Sequence, residues 1–213
     1  MCYVSPESGK SITSAVEFEW IGLLGSLEGG GERGANATSA DALVIGDTSS
    51  GRCAYLMEWK YVEEYRVGES LGEGRSGCTR HSRYQHLYDA DGSPFNGVAT
   101  LDDLLYDPLY QIMRLHLLAD RMIREREFDI SEAKVVVVCP EDNLAYRNRI
   151  TSPPLVARFG PTSTLETVVR SLLESPAEFI MTSQDRMVEA LRHSALAYPL
   201  ADWLQYHNER YGW

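Results

Sequence analysis

The chain reads as an α/β domain built on a mixed central sheet flanked by helices. Three observations predict this. Two apolar runs, residues 41–47 (DALVIGD) and 54–62 (AYLMEWKYV), are joined by the turn-rich stretch TSSGRC and should pair as a hairpin. A third run, residues 134–139 (KVVVVC), is apolar without alternation and stops at Pro140, as a strand buried on both faces does. Segments of helical periodicity fall before, between and after these runs, an order that sets helices on both sides of the sheet.

The elements follow in order. Ile12, Ala15, Val16, Trp20, Leu23 and Leu27 fall on one helical arc, so residues 12–27 are expected to form a first helix, with Glu19 inside its apolar arc. Gly29-Gly30-Gly31 ends it. The hairpin strands are expected at 41–48 and 52–62. In the second, Tyr55, Met57, Trp59 and Tyr61 share one face, and Ala54, Leu56, Glu58, Lys60 and Val62 share the other. Apolar residues on both faces mark it as central. Residues 68–77 form a Gly-rich loop, and 81–88 a short helix. Residues 101–125 read as a long helix starting near Tyr106-Asp107-Pro108, since proline suits a first helical turn. Beyond 134–139, short strands are expected at 156–159 and 179–182. Helices are expected at 165–173, 185–193 and 200–211.

Size and composition narrow the function classes. A chain of 213 residues fits a single domain, here 1–213 with its core at about 12–139 and the remainder extending it. Its hydrophobic fraction of 44% and charged fraction of 24% are those of an ordinary globular protein. No apolar run is long enough to span a membrane, and the first ten residues lack a secretory pattern, so a cytoplasmic location is expected. Cys2, Cys53, Cys78 and Cys139 show no metal-binding spacing, nor do the five histidines. Cys53 and Cys139 are expected to be buried. The net charge of −11 opposes general nucleic-acid affinity, but residues 75–86 hold Arg75, Arg80 and Arg83 with two histidines and no acid. That segment could present a local basic patch.

The chemistry concentrates on Asp41, Glu58 and Lys60. Glu58 and Lys60 are two apart on a strand and stand side by side, and a hairpin brings Asp41 to the same face. Charges inside an apolar sheet are costly unless paired or bound to a metal. Two carboxylates suit magnesium, which takes hard oxygens and keeps several waters. The Trp59 carbonyl could supply a third oxygen. Lys60 could orient or deprotonate a water, or neutralise a phosphate. A solvated cross-strand ion pair is the plainer reading of the same residues.

With those residues in place, the chain resembles the PD-(D/E)xK nuclease superfamily, the restriction-endonuclease-like fold, and within it bacterial restriction-type endonucleases. Ser39-Ala40-Asp41-Ala42 and Met57-Glu58-Trp59-Lys60-Tyr61 carry the resemblance. Ala40 stands where a proline is common. The resemblance implies catalytic positions at Asp41, Glu58 and Lys60, and metal ligation by Asp41, Glu58 and the Trp59 carbonyl. It adds an acid from the first helix, Glu19, and a glutamine on the helix after the hairpin, Gln111. It implies a magnesium or manganese cofactor and DNA as substrate; if both strands are cut, a homodimer is the simplest arrangement, because its two-fold axis matches the symmetry of the duplex. Arg75, Arg80, Arg83 and Arg114 are the expected nucleic-acid contacts, with Arg114 on the same helical side as Gln111. A catalytically silent nuclease-like module that binds nucleic acid or protein would use the same fold.

Overall fold

A computed structural model describes residues 3–4, 11–12, 16–23, 25–29, 37–194 and 200–211. A two-residue antiparallel pair, β1 (Tyr3–Val4) with β2 (Ser11–Ile12), precedes one five-stranded sheet. Its strands, in spatial and sequence order, are β3 (Val16–Trp20), β4 (Ala40–Thr48), β5 (Gly51–Trp59), β6 (Ile130–Val138) and β7 (Phe179–Thr182). β3, β4 and β5 run antiparallel as a meander, and β6 and β7 then run parallel to β5. The sheet is therefore mixed, with β5 at its centre, as expected.

Parallel strands require crossovers. The first carries α1 (Gly74–Tyr88), α2 (Leu101–Leu104) and α3 (Leu109–Arg124). The second carries α4 (Leu144–Arg147), α5 (Pro153–Phe159) and α6 (Leu165–Leu172). α7 (Gln184–Arg192) and α8 (Ala201–Tyr211) follow β7. Both crossovers step the same way across the sheet, so right-handed connections deliver their helices to the same face. The core agrees. Leu43, Ile45, Leu56, Val135 and Val137 pack with Met113 and Leu117 of α3 and Val168 of α6. The opposite face holds a smaller cluster of Ala42, Met57, Val136 and Val138, joined among the described residues by strand side chains only.

Four expected elements differ. The helix expected at 12–27 is not one: residues 16–20 are the edge strand β3, and 13–15 and 24 lie outside the described residues. Val-Glu-Phe-Glu-Trp alternates with a period of two, and the backbone of Gly22 and Gly25 has φ of 101° and 98°, which no helix accepts. Residues 156–159 are the end of helix α5, which starts on Pro153-Pro154, where proline costs nothing. The expected 101–125 helix divides into α2 and α3 around Asp107-Pro108. Proline cannot continue α2, and Thr100 caps that short helix with Asp103 in a reciprocal box. Finally, α1 begins at Gly74 rather than near His81. Cys53 and Cys139 are buried free thiols.

The early start of α1 depends on one glycine. Gly77 is buried, and a Cβ there would overlap the carbonyl of Gly72, so helix and preceding loop touch backbone to backbone. This contact fixes where the arginines of α1 project. Gly77→Ala is therefore expected to lower stability by about 1–3 kcal/mol, despite alanine's better helix propensity; urea denaturation with an unchanged or raised midpoint would contradict that. A second prediction concerns His116 of α3, 2% exposed between the rings of Phe95 and Phe179, with no hydrogen-bond partner on Nε2. Burial pushes its pKa down from 6.5 to about 3. Between those values the unfolded chain holds a proton that the folded chain refuses. Stability should thus fall as pH drops through this window, by about 1.4 kcal/mol per pH unit from this group. His116→Leu should flatten the slope, read from denaturation midpoints at successive pH values; an unchanged slope would rule His116 out as its source.

Candidate active site

Glu58 and Lys60 lie at the carboxyl end of β5, the end of a parallel strand where α/β sheets open crevices. The hairpin register pairs Ala42 with Met57, which sets Asp41 opposite Glu58 on the face shared with Leu43 and Leu56. The ladder parts at this point. The Lys60 amide turns toward β6 and donates to the Val138 carbonyl at 2.8 Å. The Trp59 amide therefore turns toward β4, where it donates to Asp41 Oδ2 at 2.8 Å. A residue's N–H and C=O leave a strand on the same side, so the Trp59 carbonyl also faces the Asp41 side.

Glu58 is 3% exposed and Lys60 7%, so the pair is genuinely internal. Lys60 Nζ donates to Glu58 Oε1 at 2.8 Å, and Gln111 Nε2, in the first turn of α3, donates to the same oxygen at 2.6 Å. Glu58 Oε2 is buried with no hydrogen-bond partner. One carboxylate oxygen is doubly satisfied and the other is orphaned, an arrangement a folded protein rarely keeps without a ligand to complete it. Burial pushes the Glu58 carboxyl up, and Asp41 adds to this; Lys60 and Gln111 pull the other way and do not cancel it. For Lys60, burial opposes the ammonium, but the Glu58 carboxylate outweighs it and holds the amine above its ordinary range. Lys60 is therefore a cation, and Glu58 is the group under stress.

This donor set fits a hard divalent cation. An orphaned carboxylate oxygen on Glu58 and a second carboxylate, Asp41, stand opposite in the hairpin register, and magnesium takes one or two carboxylates and completes its shell with water. No group of three or more His, Cys, Asp or Glu side chains suited to a metal occurs among the described residues.

The other expected site residues divide. Gln111 joins Glu58 directly. Glu19 comes from β3, not from a helix, at the position between the pairs Phe18–Ala42 and Trp20–Ala40 that lies across from Asp41. It is exposed, with a left-handed φ of 53° and a 3.4 Å contact from the Ser39 hydroxyl. Arg80, Arg83 and Arg114 line one cleft between α1 and α3, whereas Arg75 is exposed outside it. Two nearby groups went unread in the sequence. Asp107, used there only to mark a helix start, is raised by burial and faces Arg114, Lys60 and Arg80. Tyr65 lies in the field of Lys60 and packs on buried Tyr146, whose hydroxyl has no partner. An acid four residues before Gln111 was the available signal for Asp107.

A family model described as Restriction Endonuclease associating with ARP matches residues 5–212. No curated protein and no solved structure matches the chain.

Removing one partner of a buried ion pair leaves the other charge uncompensated. Lys60→Met should cost about 3–5 kcal/mol, while Glu58→Leu combined with Lys60→Met should be neutral or stabilising by about 1–4 kcal/mol. Chemical denaturation of the three proteins checks this; a double variant weaker than the single would show that the pair itself stabilises the fold.

Proposed function

The chain belongs to the family Restriction Endonuclease associating with ARP, and from that membership we propose that it is a magnesium-dependent endonuclease of the PD-(D/E)xK type that hydrolyses DNA phosphodiester bonds. The observation that carries the reading is the orphaned Oε2 of Glu58, held inside the sheet opposite Asp41 while Lys60 and Gln111 occupy its other oxygen.

Asp41, Glu58 and the Trp59 carbonyl are the residues that would hold the cation. Magnesium, or manganese in its place, supplies charge for the phosphate and a more acidic water. The protein's own groups do the rest. Asp41 is fixed by the Trp59 amide and so cannot swing away from the site. Gln111 and Lys60 lock the Glu58 rotamer and keep Oε2 free. Lys60, kept protonated by Glu58, is suited to orienting water and to neutralising charge on the scissile phosphate rather than to taking a proton. Glu19, standing across from Asp41 on the edge strand, is a second-rank member of the site. Arg75, Arg80, Arg83 and Arg114 are assigned to DNA contact, since the overall charge of −11 leaves attraction to local basic surface. Cutting both strands of a duplex would use a homodimer, whose two-fold axis matches that of the substrate. Among the described residues no helix is long and apolar enough to cross a membrane.

Cleavage of duplex DNA in magnesium should fall by about 10²–10⁴ in Asp41→Ala, Glu58→Ala and Lys60→Ala relative to the unaltered protein, and should stop on chelation. Gel assays of the four proteins decide it. Equal activity in all four, or no cleavage with any divalent ion while DNA still binds, would remove the assignment.

A further inference from the structure

The cleft between α1 and α3 encloses about 320 Å³. Arg80, Arg83, Arg114, Ser76 and Thr79 line it, and Tyr84 and Tyr110 form its floor; among the described residues no acid is in the lining. Tyr84 is 1% exposed and its hydroxyl is engaged by Glu28, so the floor is no stacking platform for a base. What the recess offers is cationic donors.

Those donors are held in place. The Arg80 guanidinium donates to the Leu71 carbonyl at 2.7 Å and lies 5.5 Å from the centre of the Tyr110 ring. Arg114 lies 4.7 Å from the same ring centre, and its buried Nε has no hydrogen-bond partner. The acid facing Arg114 and Arg80 is Asp107, which is not part of the lining. Arg83 makes no ion pair among the described residues. Three guanidiniums, two of them anchored, converge with two hydroxyls on a recess whose lining, among the described residues, holds no acid.

We propose that this recess is a pocket for a phosphomonoester at a nucleic-acid terminus, so that the protein recognises phosphorylated ends beside its hydrolytic site. The charge count favours a terminus over a strand passing through. An internal diester carries one charge on two free oxygens, whereas a monoester carries about −1.5 to −2 on three. Clusters of arginine match the latter. Location favours a nucleic acid over a free nucleotide. Gln111, which holds Glu58, and Arg114 are one turn apart on α3, roughly 5–6 Å between Cβ atoms. At ~3.4 Å of strand rise per nucleotide, an end held in the recess lies within a few nucleotides of the carboxylates. The location argument rests on the nuclease reading; the recess itself does not.

The test is binding in EDTA, where no cleavage occurs, using short duplexes that carry 5′-phosphate, 3′-phosphate or hydroxyl ends. A phosphorylated end should bind about tenfold or more tightly than the hydroxyl end, the worth of one or two charge-assisted hydrogen bonds. Arg83→Gln and Arg114→Gln should each remove that preference, so that each variant binds phosphorylated and hydroxyl ends within about threefold of one another whatever its overall affinity, and Arg83→Lys should keep part of it. Inorganic phosphate and a 5′-mononucleotide serve as competitors. Equal affinity for phosphate and hydroxyl ends overturns the proposal, as does a preference that survives both glutamine variants. A mononucleotide that binds as tightly as the phosphorylated duplex overturns the assignment to a nucleic-acid end. Loss of magnesium-dependent cleavage would fall on the nuclease reading instead, since binding in EDTA does not depend on it.

Discussion

One oxygen organises this molecule. Glu58 Oε1 accepts the Lys60 ammonium and the Gln111 amide together, and that single junction ties the central strand to the helix laid across it. A carboxylate and an ammonium at this depth give up most of their hydration, and a net gain from such a pair is not expected. The surrounding core makes up the difference. Leu43, Leu56, Met113 and Val137 belong to the core cluster on the same face of the sheet. Stability is thus concentrated in the apolar packing, and the polar cluster is carried by it.

The sheet topology explains why the junction can form at all. Two crossovers on one face put α3 over the carboxyl end of β5, so the first turn of a long helix meets the last residues of a central strand. The N–H groups and the positive end of that helix lie near the acids, a favourable field for carboxylates or phosphate. α1 runs beside α3 and is seated on the Gly72 backbone through Gly77. Gln111 and the arginines are therefore positioned by neighbouring helices over the same end of the sheet.

The hairpin and its charges were legible because period-two alternation assigns faces: Glu58 and Lys60 fell on one face from spacing, and pairing of the two runs could bring Asp41 to it. Gln111 was singled out by the family resemblance, which places a glutamine on the helix after the hairpin, and not by any local pattern. The edge strand was not. Residues 16–20 form too short a run to separate a period of two from one of 3.6, and the apolar residues on either side completed a false arc. The short helix α5 was missed because four residues are too few to show a period, although Pro153-Pro154 marked its start. Asp107 was passed over because its meaning is spatial: only the break between α2 and α3 turns it toward Lys60 and the arginines. The location of the main core on one face likewise depends on crossover direction, which no local pattern encodes.

The hairpin has a further consequence. Seven uninterrupted cross-strand pairs, from Ala42–Met57 to Thr48–Gly51, connect the acids to a two-residue turn at Ser49-Ser50. Over that distance the sheet transmits parity rather than force. An odd number of residues added at the turn and absorbed by sliding the strands would carry Asp41 through the sheet to the side of Val44, while an even number would return it to Glu58's side. Length variation at this remote tip is thus restricted by chemistry at the opposite end, and natural variants of the hairpin should differ in steps of two or house the odd residue in a bulge.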